Sequence, residues 1–99
     1  MVQISWTSEA KADLKDIADY ISIDSVKYAN LQINKIIAIT KILKSYSRIG
    51  KVVDEFGNQD IRELVYGNYR IIYKLISLKK IDILAIHHSA RDLTIRIIE

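Results

Sequence analysis

The fold of this chain is decided by residues 60–92, which read DIRELVYGNYRIIYKLISLKKIDILAIHHSARD. Two apolar runs, residues 61–66 and 69–76, flank Gly67-Asn68, a dipeptide that tolerates the positive φ angles of a tight hairpin turn. A third run, residues 81–88, follows a turn that contains no glycine. We therefore predict three consecutive strands, the last of which delivers two histidines and an arginine to the end of the sheet.

Both faces of these strands carry apolar side chains, because side chains alternate across a strand and neither set is purely polar. We predict a sheet that is covered on one side and partly covered on the other. Arg70 is the exception, since it stands among β-branched neighbours, where an unpaired guanidinium would be costly. It either pairs with Glu63 or Asp92, or extends its head group to water along an apolar stem, or serves as a functional cation.

Two amphipathic helices precede the sheet. The first follows an N-cap at Thr7 or Ser8 and carries an apolar stripe at helical spacing, formed by Ala10, Leu14, Ile17, Ala18 and Ile21. The second is capped by Asp24 or Ser25 and runs to about Tyr46, with an inner stripe formed by Ala29, Ile33, Ile36, Ile37, Thr40 and Leu43. The joint between the helices is short, so they must fold back as an antiparallel hairpin.

Three further apolar residues of the second helix, Ile39, Ile42 and Tyr46, widen its apolar arc beyond what one contact needs. Two interpretations are open. These side chains reach the sheet as well as the first helix, or they are left for a partner.

The remaining segments complete an α+β fold. Residues 2–6 and 51–56 read as additional strands, and Gly50 suits a left-handed position after the second helix. We predict an N-terminal strand and an antiparallel helical hairpin packed on one face of a mostly antiparallel sheet of four to five strands. Its other face would be available for binding. The tail, residues 92–99, extends the sheet, docks on the core or orders only on binding.

Composition excludes several classes of protein. The 99 residues indicate one domain over the whole chain. The absence of cysteine excludes disulfides and thiolate metal sites and fits a reducing cytoplasm. No apolar run approaches the roughly 18 residues of a membrane span, and the start lacks a signal-peptide pattern. The net charge is only +3, but all five arginines lie in residues 48–99, so we expect the contact surface in the sheet half.

Recognisable catalytic motifs are mostly absent from the sequence. The chain contains no glycine-rich phosphate loop, nucleophile elbow or two-histidine helix motif. His87 and His88 are adjacent on a strand and point to opposite faces, so we expect no metal site and no cofactor. Strict alternation would place Ala85 with His87 and, on the other face, Ile86 with His88.

Three motifs, in the order of the chain, resemble the RelE/ParE toxin superfamily. They are the helical run SEAKADLKDIADYI, the hairpin R-E-L-x-x-G-x-Y-R-I-x-Y from Arg62 to Tyr73, and the closing I-x-x-I-H-H-S-A-R-D-L from Ile83 to Leu93. The resemblance implies a bacterial toxin–antitoxin module of the plasmid-stabilisation type, with a toxin neutralised by the C-terminal segment of an antitoxin. RelE-like members cleave messenger RNA on the ribosome, whereas ParE-like members inhibit DNA gyrase.

The sequence departs from the nuclease branch of this superfamily. Arg70 matches an arginine of the RNA-cleaving members and Arg91 falls near a second basic position, but the tail has no tyrosine. A metal-free ribonuclease needs a base, an acid and cations on the phosphate. Only His88 or His87, with Glu63, is available for proton transfer. The HSARDL ending and the long helical hairpin formed by the two predicted helices resemble the ParE branch.

Two hypotheses follow. The favoured one is a gyrase inhibitor without chemistry of its own; the alternative is a ribosome-dependent endoribonuclease that uses Arg70, His88, Arg91 and Glu63. A relic that retains only antitoxin binding is a third interpretation. The candidate residues for binding the target or the antitoxin are Arg62, Arg70, Arg91, Ile39, Ile42 and Tyr46.

Overall fold

The computed structural model describes residues 2–96, except for the side chain of Ile95. The helices are α1 (Ser8–Ser22) and α2 (Val26–Thr40). The strands are β1 (Gln3–Trp6), β2 (Lys51–Val52), β3 (Ile61–Tyr66), β4 (Tyr69–Ser77) and β5 (Lys80–His88). Three short 3-10 segments complete the fold: Lys41–Lys44, Asp54–Phe56 and Leu93–Ile95.

The five strands form one sheet in the order β1-β5-β4-β3-β2. Only β1 and β5 run parallel; the other neighbours are antiparallel. At the β3–β4 hairpin Gly67 has a φ of 56° and Asn68 has no positive φ, which is the pattern of a type II′ turn. The predicted α+β fold, with its helical hairpin and mostly antiparallel sheet, is confirmed.

The helices begin where their capping residues predict. The Thr7 hydroxyl oxygen accepts a hydrogen bond from the Ala10 amide at 3.1 Å, and Ser25 caps α2 through the Tyr28 amide at 3.0 Å. The second helix is shorter than predicted, because α2 ends at Thr40 and tightens into the 3-10 segment Lys41–Lys44. The hydroxyl of Thr40 donates to the Ile37 carbonyl at 2.7 Å, a contact that competes with regular helical bonding.

Two cores lie on the two faces of the sheet. The face against the hairpin, here called the helical face, holds the larger core, formed by Ala10, Ile36, Leu43, Ile71, Tyr73, Ile81, Ile83 and Ile86. The opposite face, here called the loop face, holds a smaller core, formed by Val53, Ile61, Ile72, Leu84, Ala85 and Leu93 with Phe56 against it. The loop face is therefore partly covered, as predicted. It is not left available as a whole.

The segment after Gly50 differs from its prediction. The predicted strand over residues 51–56 ends at Val52, because Asp54–Phe56 forms a 3-10 turn that brings Phe56 onto the loop face. Gly50 does not have the positive φ that we expected. A Cβ there would lie 2.5 Å from the hydroxyl oxygen of Tyr73. Close packing, rather than a left-handed backbone, therefore requires this glycine.

A β-bulge changes the faces of β5. Its pairing with β4 shifts between Ile72 and Tyr73 and leaves Leu84 without a cross-strand partner. Leu84 and Ala85 consequently both join the loop-face core, whereas Ile86 joins the helical-face core. The prediction of strict alternation along this strand is wrong at this point.

The tail docks on the sheet as far as it is described. Leu93 is buried in the loop-face core, and Arg96 follows the 3-10 segment Leu93–Ile95. The rest of the predicted tail, residues 97–99, lies outside the described residues.

Candidate functional site

Arg70 lies on the loop face between two carboxylates. Its Nε donates to Glu63 Oε1 at 3.1 Å and its Nη2 to Glu63 Oε2, while Nη1 and Nη2 donate to Glu55 at 2.7 and 3.0 Å. The hydrogen bonds from Arg70 lower the pKa of Glu55 from 4.5 to about 2, and the two carboxylates raise the pKa of Arg70. The predicted pairing with Glu63 is confirmed. The alternative partner, Asp92, is replaced by Glu55.

The Arg70–Glu63 pair at the centre of this cluster is poorly accessible, whereas Glu55 is exposed. Only 16% of the Arg70 side chain and 9% of the Glu63 side chain are exposed. Because two carboxylates surround one guanidinium, the cluster carries no surplus positive charge for a phosphate. Glu55 was not among the candidate residues, and no local spacing relates it to Arg70, 15 residues away.

His87 is buried at the point where the tail crosses the end of β5. Its Nε2 lies 3.1 Å from the Arg91 carbonyl oxygen and its Nδ1 lies 3.1 Å from Nη1 of Arg96. A guanidinium only donates and a carbonyl only accepts. Nδ1 must therefore accept and Nε2 must carry the proton, so these contacts require a neutral imidazole.

Arg96 also reaches α1, where it meets Glu9 and Asp13. Its Nη2 donates to Glu9 Oε1 at 3.2 Å and to Asp13 Oδ2. The same Asp13 oxygen accepts a hydrogen bond from the Ile86 amide at 2.9 Å. Because β1 pairs with β5 only as far as Ile83, this amide has no strand partner on that side, and Asp13 takes its place. This network was not predictable from the sequence, because its bonds join α1 to residues more than 70 positions later in the chain.

His88 lies apart from the Arg70 cluster. Its ring meets Tyr69 edge-on with centroids 5.5 Å apart, and its Nδ1 accepts the Ala90 amide at 3.2 Å. His88 and the exposed Arg91 line a groove of about 870 Å³ between α1 and the end of β5, a groove whose lining does not include Arg70 or Glu63. The four candidate catalytic residues are thus divided between two places.

Arg62, the remaining candidate cation, binds backbone carbonyls. Arg62 donates to the carbonyls of Gln59, Arg48 and Gly50 at 3.0–3.2 Å and so holds the loop before β2.

Ile39 packs against the helical-face core, so the first interpretation of the wide apolar arc holds for this residue. Ile42 and Tyr46 remain exposed, by 45% and 64%. The second interpretation, apolar side chains left for a partner, remains open for those two.

Residues 2–96 offer neither a metal site nor a membrane-spanning helix. No group of three or more histidine, cysteine or acidic side chains in this part of the chain is arranged to hold a metal ion. No described helix is long and apolar enough to cross a membrane.

Comparison with known proteins identifies the family of this chain. The family described as ParE toxin of type II toxin–antitoxin system, parDE, matches residues 4–93. A solved structure titled chromosomal ParDE TA system from P. aeruginosa is similar with a TM-score of 0.71 and 24% sequence identity. The match covers 89% of this chain and 96% of that chain, and at this identity it supports the fold alone. No curated protein sequence matches. Because the family match spans nearly the whole chain, the chain belongs to the ParE toxin family of type II toxin–antitoxin systems.

Proposed function

We propose that this toxin acts by binding DNA gyrase, without chemistry of its own, and that a cognate antitoxin neutralises it. Gyrase works in the bacterial cytoplasm, so the proposal places the toxin there. Membership of the ParE family supports this assignment over the RelE-like alternative.

The observation that carries the proposal is the neutralised Arg70. Metal-independent RNA cleavage needs cations on the phosphate and proton-transfer groups beside the 2′-hydroxyl. Arg70 and Glu63 bind each other on the loop face, while His88 packs against Tyr69 at the groove. RNA cleavage by these residues would require Arg70 to leave both carboxylates and His88 to move to it.

A parallel pair of assays tests the proposal. Purified toxin should inhibit gyrase supercoiling or trap cleaved DNA, and it should leave ribosome-bound messenger RNA intact. Messenger cleavage with gyrase unaffected would overturn the assignment.

His88→Ala is the variant that separates the two mechanisms. Loss of a proton-transfer group typically costs about 10²–10⁴-fold in rate, so a nuclease would be silenced by this change. We expect gyrase inhibition to change only modestly, because His88 contributes a ring contact with Tyr69. Leu78→Ala, at a side chain that is 94% exposed, is the matched control.

A further inference from the structure

Arg96 ties the tail to two other parts of the molecule through one side chain. Its Nε and Nη2 donate to carboxylates of α1, those of Glu9 and Asp13, while its Nη1 donates to Nδ1 of His87 on β5. The Arg96 side chain is only 20% exposed. These contacts, here called the Arg96 latch, hold the tail against α1 and the end of β5.

The bond between His87 and Arg96 depends on the charge of the imidazole. Nε2 of the buried ring already donates to the Arg91 carbonyl, so Nδ1 is the ring nitrogen that is able to take up a proton. A proton there turns the acceptor into a donor. The 3.1 Å contact with Nη1 of Arg96 then joins two donors of like charge. The contact with Arg91 persists, because an imidazolium still donates from Nε2.

Charged groups from several elements surround His87 and Arg96. Arg70 is the cross-strand neighbour of His87 on β4, and Glu55 and Asp92 interact with the ring electrostatically. Carboxylates outnumber guanidiniums in these surroundings, which contain Glu9, Asp13, Glu55, Glu63 and Asp92 against Arg70, Arg91 and Arg96. This excess of negative charge allows the site to hold a cationic ring once Arg96 has moved away.

We propose that His87 is a proton-operated switch for the Arg96 latch. With a neutral ring the latch is closed, and Arg96 bridges His87 and α1. When Nδ1 takes a proton from solvent, Arg96 leaves the ring, and the surrounding carboxylates compensate the charge of the imidazolium. Histidine is the side chain that ordinarily changes charge between pH 5 and 8, and its protonation is a physical means of switching contacts.

Opening of the latch changes the groove between α1 and the end of β5. Arg96 lines this groove together with His87 and Asp13, so its departure leaves the Asp13 carboxylate facing the groove without that cation. Leu93 remains anchored in the loop-face core, which confines the movement to the residues after it. The switch is independent of the cellular target of the toxin.

The test is a pH titration of the full-length toxin by NMR from pH 8 to pH 5, a range in which carboxylates ordinarily stay ionised. Long-range proton–nitrogen spectra of the histidine rings report which nitrogen carries a proton. At pH 8 the ring of His87 should be neutral, with its proton on Nε2. Protonation of Nδ1 should coincide with faster hydrogen exchange at the Arg96 amide, which donates to the Leu93 carbonyl at 3.0 Å.

The size of the change is set by the contact that is lost. Relative to an unstructured peptide at the same pH, exchange should accelerate at least about tenfold, the factor that corresponds to one hydrogen bond to a charged group. His87→Gln should abolish the acceleration, because glutamine offers an acceptor and a donor but does not titrate.

His88→Gln is the matched control. His88 is the next residue of β5, and its Nδ1 accepts from the Ala90 amide rather than from Arg96. This variant should open over the same pH range as the wild type. If His87→Gln fails to fold, the comparison of the wild type with His88→Gln still decides the matter, since both proteins retain His87.

Four results would overturn the proposal. One is a neutral His87 ring with its proton on Nδ1 at pH 8. Another is protonation of His87 without faster exchange at Arg96. A third is a latch that stays closed, with a neutral ring, down to pH 5. The last is acceleration that persists in His87→Gln or disappears in His88→Gln.

Discussion

Arg70 on β4 and Glu63 on β3 form a two-point ion pair, with Nε of Arg70 3.1 Å from Oε1 of Glu63 and Nη2 bound to the other oxygen. Both side chains are largely buried. The arginine that the resemblance connects with RNA cleavage therefore has a structural role in this toxin. Through Glu55 it also fastens the turn Asp54–Phe56 to the sheet.

Removing one partner of this pair should destabilise the fold. Arg70→Ala leaves the carboxylate of Glu63 buried without its cation, and breaking a buried ion pair typically costs about 3–5 kcal/mol. Urea denaturation measures the loss. The double variant Arg70→Met with Glu63→Gln should lose less, because it leaves no unpaired charge. A double variant as unstable as Arg70→Ala would contradict this explanation.

Acid should weaken the same cluster through Glu55. Its pKa in the folded protein is about 2, compared with an ordinary value of 4.5, because Arg70 binds its ionised form. A depressed pKa contributes stability that is fully present above about pH 4.5 and is lost as the pH falls toward 2. Glu55→Gln should therefore show a shallower loss of stability across this range than the wild type. The urea midpoints of both proteins, measured from pH 2 to 6, test this prediction. If the midpoint falls equally steeply with decreasing pH in both proteins, Arg70 does not hold Glu55 in solution.

Two isoleucines on α2 should differ in their contribution to stability. The sequence predicts both Ile33 and Ile36 in the core, but Ile36 is fully buried whereas Ile33 is only half-buried and lines the outer groove between the helices. Ile36→Ala should cost about 2–5 kcal/mol, and Ile33→Ala clearly less. Urea denaturation measures both losses, and each variant serves as the control for the other. An equal loss would mean that Ile33 is buried in solution.

The close packing of Tyr73 on Gly50 should contribute to stability. The Tyr73 hydroxyl accepts the Gly50 amide at 3.0 Å and donates to the Ser47 carbonyl at 2.9 Å. Tyr73→Phe should cost about 1–3 kcal/mol through the lost bonds. Gly50→Ala should cost at least about 1–3 kcal/mol through overpacking. Combining the two should not restore stability, because the added Cβ also lies 2.7 Å from the Glu63 carbonyl oxygen.

The control for this prediction is Gly57→Ala. Gly57 has a φ of 58° and no atoms within 4 Å of an added Cβ, so its substitution should cost only the roughly 1 kcal/mol of backbone strain. A Gly50→Ala loss no larger than the Gly57→Ala loss, measured by thermal or urea unfolding, would contradict the packing role of Gly50.

The network of Asp13 should hold the tail on α1. Asp13→Ala leaves the Ile86 amide without its acceptor and removes one carboxylate from Arg96, a change that should cost about 1–3 kcal/mol. Lys15→Ala, on the same helix, breaks only the exposed pair with Asp19 and should change the stability much less, because solvent screens exposed ion pairs. Hydrogen exchange at the Ile86 amide provides a direct local measurement, and unchanged protection in Asp13→Ala would contradict the assignment.

Much of the fold was predictable because its signals are local. Thr7 and Ser25 cap the helices, as their side chains and positions indicate. The dipeptide Gly67-Asn68 marks the position of the β-hairpin turn. The bulge at Leu84 was not predictable, because an extra residue in β5 is defined only by its pairing with β4. The end of α2 at Thr40 was missed for a related reason, since the apolar stripe continues unbroken to Leu43.

The candidate site shows the same division between local and distant information. The order of elements, the type of fold and the resemblance to a toxin superfamily follow from the amino-acid sequence, because each depends on periodicity, turn residues and short motifs. Three features depend on the three-dimensional fold: Glu55 and Glu63 neutralise Arg70, His88 lies elsewhere, and Asp13 binds Arg96. These contacts join residues that are distant along the chain, and charges interact according to their separation in space.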